Sequence, residues 1–298
     1  MKFAAIDIGS NAIRLLFVNV FETKTGPVYH KDELIRVPVR LGEEAFNNGK
    51  FSDEKIDHVV KTLIAFKNLI DVHHVLAYKA CATSAMRDAK NSDIILQRVK
   101  QEAGIEIEII SGDAESKFIL QYPLLQSGLD PSENYLYIDV GGGSTELAFF
   151  GKGKLHSNKS FNIGTLRLLN DQVTEDEWRE VVKWLHENKP VKTNIDALGV
   201  GGSINKVIKM YGKGKNFLSA SSLRRVLSYI DGLSMTQRVR DLGLKPDRAD
   251  VIVPALRIYI NVMKWTGIDK IHVPKQGLSD GIITELYKEY KKKSSVVE

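Results

Sequence analysis

Residues 137–150 read YIDVGGGSTELAFF, a hydrophobic strand pattern broken by three glycines and a hydroxyl pair before a second strand begins. Near the start of the chain, residues 3–18 read FAAIDIGSNAIRLLFV and have the same outline. In each stretch a carboxylate, Asp7 or Asp139, stands just ahead of a glycine turn, and hydroxyl or amide side chains follow it. Two hairpins of one design lie 132 residues apart, from Asp7 to Asp139. That spacing is domain-sized and far longer than a solenoid period. At 298 residues the chain has room for two domains. A duplicated domain with its active cleft between the copies is the expected architecture.

The repeated turn carries its own chemistry. Glycine between strands permits positive φ and lets a ligand approach the backbone. Successive backbone N–H groups then form a nest suited to phosphate. Ser10, Asn11, Ser144 and Thr145 add neutral donors. A carboxylate beside a phosphate is repulsive unless a cation intervenes, so Asp7 and Asp139 point to Mg²⁺, which prefers oxygen ligands and is shared between carboxylates and substrate phosphates. Read singly, either turn is equally a plain tight hairpin braced by its Asp; the matched pair favours the phosphate reading.

Composition sets the background. Hydrophobic residues make up 43% and charged residues 27%, ordinary for a globular protein. No apolar run approaches a bilayer span, and the N-terminus lacks the apolar stretch of a signal peptide. One cysteine, Cys81, fits a reducing compartment, so a cytoplasmic location is expected, without membrane association. The net charge of +5 comes wholly from the second half. It is densest where Lys206, Lys209, Lys213, Lys215, Arg224, Arg225, Arg238, Arg240 and Lys245 face only Asp231 and Asp241. Such a field suits a polyanion, and it also reads as a solvated basic surface.

Between the hairpins, strand-like segments fall at 34–40, 75–80 and 105–110. Ser52 is placed to cap a helix whose Ile56, Val59, Val60, Leu63 and Ile64 share a face. Residues 111–128 read as a helix cut short near Pro123, with a domain boundary following, so the domains are expected at 1–124 and 125–298. Thr174 and Glu177 form a capping box for a helix that stops before Pro190. Residues 196–202 read as a strand into a glycine turn, with Ser203 capping the next helix. A final helix from 279 ends in Lys291, Lys292 and Lys293; it has the option of packing back on the first domain.

The ordered motifs resemble the Ppx/GppA family of exopolyphosphatases and guanosine pentaphosphate phosphohydrolases. DIGSNAIRL (7–15) and DVGGGSTEL (139–147) are similar to its two signatures. ATSAMRDAKN (82–91), ISGDAES (110–116), FNIGTLRL (161–168), GVGGSINK (199–206) and RADVIVPAL (248–256) fall in the family's order. The resemblance implies an α/β protein of two tandem ribonuclease-H-like domains of the actin-like ATPase superfamily, with mixed sheets flanked by helices. It matches the short, two-domain form without a C-terminal HD-type domain. It implies Mg²⁺-dependent hydrolysis of the terminal phosphoanhydride of inorganic polyphosphate, with pppGpp as the alternative substrate. A third reading is a weakly catalytic (p)ppGpp or polyphosphate sensor. A homodimer is compatible with it, and no nucleic-acid partner is expected.

The resemblance also assigns roles. Glu115 takes the position of the catalytic glutamate that orients or deprotonates water; without the resemblance the plainer reading, an acid in a helix's first turn, is favoured. Asp139 is the second active-site acid, and with Asp7 it is expected to organise Mg²⁺. Gly9, Ser10, Asn11, Gly141, Gly142, Gly143, Ser144 and Thr145 match phosphate-contacting turn positions. Gly202 and Ser203 match a third anion-facing turn, and Gly164 and Thr165 are weaker matches. Arg87 matches an arginine reaching the phosphate chain; a surface pair with Asp88 is its plainer reading. The chain departs from the family pattern at Ala12, Ala114 and Ser279-Asp280-Gly281, which bears on substrate choice and rate. His73-His74 has no further ligand at metal spacing, Cys81 reads as packing, and no Walker A motif or nucleophile elbow is present.

Overall fold

The computed structural model describes residues 1–120, 129–130, 132–190 and 194–294, the side chains of 116, 119 and 120 excepted. The chain separates into two compact units, Met1–Gln126 with Gln276–Glu298, and Ser127–Lys275.

In the first unit β1 (Lys2–Ile8), β2 (Ile13–Thr23) and β3 (Gly26–Val37) form an antiparallel meander. Helices α1 (Leu41–Asn48) and α2 (Asp53–Val72) lead to β4 (Ala77–Ala82), which returns parallel to β1. Then α3 (Ser84–Asp88) and α4 (Ser92–Ala103) lead to β5 (Ile107–Ile109), parallel to β4, before α5 (Gly112–Leu120). The sheet order is β3-β2-β1-β4-β5. Side chains alternate across a strand, and β1 is apolar on both faces because both are covered. Ala4, Ile6 and Ile8 join Ile13, Leu15 and Phe17 of β2 in a core with Ile56, Val59, Leu63 and Phe66 of α2. The Ser52 hydroxyl accepts from the Lys55 N–H, as its capping role predicts.

The second unit repeats this plan. It contains β6 (Asn134–Val140), β7 (Thr145–Gly151), β8 (Lys154–Phe161), α6 (Thr165–Leu169), α7 (Glu175–Asn188) and β9 (Ile195–Val200). After these come α8 (Gly202–Tyr211), β10 (Phe217–Ser219), α9 (Ala220–Asp231), α10 (Met235–Arg240), α11 (Pro246–Ala249), α12 (Ile252–Thr266) and β11 (Lys270–His272). The order β8-β7-β6-β9-β11 copies the first sheet strand for strand, with β10 added antiparallel at the edge. Thr174 and Glu177 form the expected capping box on α7.

The last helix, α13 (Leu278–Ser294), belongs to the first unit. Phe3, on the β1 face opposite the α2 core, meets Tyr287 and Tyr290 edge-on with ring centroids at 6.3 and 5.7 Å. Such contacts contribute about 0.5–1.5 kcal/mol each beyond their buried area. Asp280 pairs with Lys31 of β3 at 2.7 Å, and Lys291 pairs with Glu22 of β2 at 2.8 Å. The grouping 125–298 carried the option that its last helix packs back on the first domain; α13 lies against β1 and α5 of the first unit. The expected helix end near Pro123 and the 124/125 boundary lie outside the described residues.

The third strand also differs from expectation, spanning Gly26–Val37 instead of 34–40. It is an edge strand whose His30, Lys31, Asp32 and Glu33 are exposed, so charge hides its period. Cys81 is fully buried, and burial pushes its thiol up to about 12, which makes it an inert packing residue. Among the described residues no helix is long and apolar enough to cross a membrane.

Candidate active site

The two glycine turns are built alike. Gly9 N–H donates to Ala12 O at 3.2 Å, and Gly141 N–H donates to Ser144 O at 2.9 Å. The expectation of positive φ does not hold at either glycine. The constraint is space: a Cβ on Gly9 would lie 3.2 Å from Ala12 O, and one on Gly141 would lie 3.1 Å from Ser144 O. A Cβ at either position would need the facing carbonyl to give by a few tenths of an ångström.

The segment after the third strand then holds each turn from behind. In the second unit Thr165 N–H donates to Gly141 O, Leu166 N–H to Gly142 O, and Arg167 Nε to Gly143 O, at 3.0, 2.8 and 2.8 Å. Peptide units are planar and trans, so carbonyls drawn toward α6 turn the N–H groups of Gly142, Gly143 and Ser144 the other way. In the first unit Gly42 N–H donates to Ser10 O at 2.8 Å and Arg40 N–H to Asn11 O at 3.1 Å. The amides of Asn11 and Ala12 are thereby turned outward in the same sense. Gly164 is needed behind the second turn, because a Cβ there would collide with the carbonyl of Gly142.

The hydroxyls expected to meet phosphate are turned inward. Ser10 Oγ lies 2.8 Å from Ser84 Oγ and accepts from Ala85 N–H. Ser144 Oγ donates to Glu146 Oε1 at 2.6 Å, and Thr145 Oγ1 donates to Ile163 O. All three residues are buried. They brace the turns, and the backbone amides are what the turns offer to an anion.

The acids differ in their surroundings. Asp7 is 5% exposed, and its Oδ2 is 2.6 Å from Arg14 Nη1. Asp139 Oδ2 accepts from Tyr137 OH at 3.0 Å. Burial first, then the charge of Asp139, holds the Tyr137 hydroxyl well above its ordinary value, so it remains a donor. Directly across from Asp139 stands Glu146, 1% exposed, accepting from Ser144 and Ser160 at 2.6 and 2.8 Å. Sequence reading passed over Glu146, which looks like one polar step in a strand; counting back from the turn along the hairpin would have paired it with Asp139.

Gly201 closes against this acid. Its φ is 123°, and a Cβ there would lie 3.0 Å from Val140 O and 3.4 Å from Asp139 Oδ1. Gly201, and not Ser203, is the N-cap of α8, and no side chain caps that end. Ser203 is the helix's second residue, beside Gly202. The Arg248 guanidinium carbon lies 4.0 Å from where a Cβ on Gly202 would sit. Asp139, the 141–145 turn and the 201–203 turn are thus brought together in one unit.

In the first unit Glu115 is the fourth residue of α5 and its side chain is 12% exposed. Arg87 Nη1 lies 3.8 Å from Glu115 Oε2 and donates to Ile110 O at 2.6 Å. Arg87 is one helical turn beyond Ser84, which touches Ser10, so α3 links the β1–β2 turn to the Arg87–Glu115 pair.

Mg²⁺ takes oxygen ligands, keeps several waters and needs only one or two carboxylates. Asp139, partly exposed, and Glu146, buried, are in register and are a donor set of that kind. Asp7 already has a guanidinium on it. Among the described residues no group of three or more His, Cys, Asp or Glu gathers at one point.

Two copies of a five-strand mixed sheet, each with a braced glycine turn beside an acid, define the actin-like ATPase fold. The profile of the Ppx/GppA phosphatase family matches residues 33–290, and the chain belongs to that family, one of phosphoanhydride hydrolases. It is 29% identical to the bifunctional 3-dehydroquinate synthase/phosphatase of Fusobacterium nucleatum, over 95% of this chain and 46% of that protein, so it spans about half the length of that relative. It is 26% identical to exopolyphosphatase 2 of Mycobacterium tuberculosis, over 96% of this chain and 98% of that one. The crystal structure of the Aquifex aeolicus Ppx/GppA family member superposes with a TM-score of 0.76 at 26% identity, covering 97% of this chain and 98% of that one.

Proposed function

We propose that this chain is an exopolyphosphatase that hydrolyses the terminal phosphoanhydride of inorganic polyphosphate and releases orthophosphate. The observation that carries the reading is the matched pair of turns, whose carbonyls are drawn back so that their amides face the other way, an arrangement suited to an anion. Arg87 adds a planar guanidinium suited to phosphate oxygens. Lys206, Lys213, Lys215 and their basic neighbours supply a field for the rest of the chain.

Phosphoryl transfer has a loose transition state, so placing the water and stabilising charge dominate. Glu115 accepts a hydrogen bond from the attacking water and takes its proton as the new P–O bond forms. The bridging P–O bond breaks, and the shortened polyphosphate keeps the bridging oxygen. A Mg²⁺ held by Asp139 with Glu146 would supply positive charge against the phosphoryl oxygens. The turn amides of Gly142, Gly143 and Ser144 hold the oxygens in line, and Tyr137 fixes the orientation of the Asp139 carboxylate.

Orthophosphate release from long polyphosphate, short polyphosphate and pppGpp, measured side by side with Mg²⁺, tests the reading. Fastest turnover of polyphosphate supports it. Preference for pppGpp replaces it with the pentaphosphate hydrolase. No release from any substrate, with wild type and Glu115→Gln alike, overturns the enzymatic assignment in favour of a sensor.

A further inference from the structure

Glycine has more backbone conformations open to it than any other residue, so a glycine kept in one of them is kept there by its neighbours. Gly201, at φ 123° and ψ 162°, opens α8, and no side chain caps that end. The peptide on its C-terminal side is fixed by the first turn of α8, where Asn205 N–H donates to Gly201 O at 3.2 Å. The peptide on its N-terminal side is fixed from another helix: the Tyr259 hydroxyl of α12 donates to Val200 O. We infer that Tyr259 is a positioning residue for the reaction, pinning the Val200–Gly201 peptide so that the third turn is held against the Asp139 carboxylate. The inference rests on the polyphosphate reading with its cation at Asp139, and adds a residue that acts through the backbone.

Three observations support it. Tyr259 is completely buried in the apolar core of the second unit, where a hydroxyl is costly unless it is bonded. Val200 stands beside Asp139 on the neighbouring parallel strand, so the carbonyl that Tyr259 holds is level with the acid. A Cβ on Gly201 would lie 3.2 Å from the Tyr259 hydroxyl and 3.4 Å from Asp139 Oδ1, so hydroxyl and carboxylate flank one glycine. The other carboxylate oxygen, Oδ2, accepts from Tyr137 OH at 3.0 Å. Two buried tyrosines thus locate the carboxylate, one by a direct hydrogen bond and the other through Gly201. Because a peptide is planar and trans, holding Val200 O also sets the direction of the Gly201 N–H. Phenylalanine at 259 would fill the same space without that hold.

The experiment uses the full chain without substrate, so that binding is read apart from turnover. Mn²⁺ is titrated into wild type, Tyr259→Phe, Tyr137→Phe and the double variant, with free ion followed by electron paramagnetic resonance and stability by thermal melts. Tyr259→Phe is expected to raise the Mn²⁺ dissociation constant by roughly three- to tenfold, the effect of one hydrogen bond. Tyr137→Phe should weaken binding too, and since both act on one carboxylate, the double variant should lose less than the product of the two losses. Val262→Ala, a cavity in the buried face of the same helix, should lower the melting temperature and keep wild-type Mn²⁺ affinity. Wild-type affinity in Tyr259→Phe would overturn the inference, as would losses that multiply in the double variant or an equal loss in Val262→Ala. A wild type that binds no Mn²⁺ would overturn the cation at Asp139 and the inference with it. A wild type that binds Mn²⁺ but releases no phosphate would instead overturn the polyphosphate reading, and the binding arm would still judge Tyr259.

Discussion

Asp139 on β6 lies directly across from Glu146 on β7, at the station where Asp7 of β1 meets Arg14 of β2. The domain-sized repeat thus keeps the backbone plan and reverses the charge at this cross-strand position. Opposite charges across a ladder attract, and like charges repel until a cation separates them. The two hairpins are equivalent in shape and different in electrostatics.

Removing either member of the acidic pair should act on metal use. Asp139→Asn and Glu146→Gln are each expected to raise the Mg²⁺ concentration for half-maximal phosphate release by on the order of tenfold, the loss of one charged ligand contact. Mg²⁺ titrations at saturating polyphosphate check this. Unchanged half-saturation in both variants would remove the pair from metal binding.

Glu115→Gln keeps the volume and the contact with Arg87 while removing the base. Turnover should fall by roughly 10²- to 10⁴-fold, with tripolyphosphate affinity within about twofold of wild type. Single-turnover kinetics beside calorimetry separates the two. Loss of affinity without loss of rate would make Glu115 a binding residue.

Gly201→Ala should be costly in both stability and activity. The backbone there has φ 123° and ψ 162°, a region open only to glycine, and the added methyl would meet Val140 O at 3.0 Å. Such strain costs about 1–3 kcal/mol, to be read from urea denaturation. Because Val140 directly follows Asp139, displacing its carbonyl should also lower Mg²⁺ affinity. Stability within error of wild type would contradict this geometry.

Asp280 ties pH to stability. Burial raises its pKa, outweighing Lys31 and the Gly277 N–H, which both favour the carboxylate. A folded value above the unfolded one means the stabilising contribution is complete below the unfolded pKa and is lost as pH rises through the folded value. Asp280→Asn cannot titrate, so thermal melts from about pH 4 to 7 should show wild type losing ground to the variant as pH rises. A difference that is flat with pH would show that Asp280 does not carry this dependence.

The hairpins were legible because both flanking strands are apolar and the glycines between them leave a visible gap. The α7 cap was legible for a similar reason: Thr174 and Glu177 act within one turn, where spacing alone decides contact. What escaped depends on long-range geometry. β3 hid because its charged His30–Glu33 run is the exposed edge of a sheet. Glu146 hid because its partner is set by hairpin register. The inward hydroxyls of Ser10 and Ser144 could not be foreseen, since Ser84 is 74 residues from Ser10 and the Ser144 choice rests on a buried Glu146. Gly201 displaced Ser203 as the α8 cap because the close approach of Val140 and Asp139 leaves no room for a side chain.

Helix α13 gives synthesis of the chain an order. The first sheet begins at Lys2, yet Phe3 meets the aromatic rings of α13, residues 278–294. In chain order α13 follows every described strand of both sheets. Contacts between residues so far apart are also the slow ones to form, since the whole intervening loop must close first. The half of the protein made first is therefore the half completed last, and until α13 docks, the aromatic face of β1 is a surface for chaperones to guard.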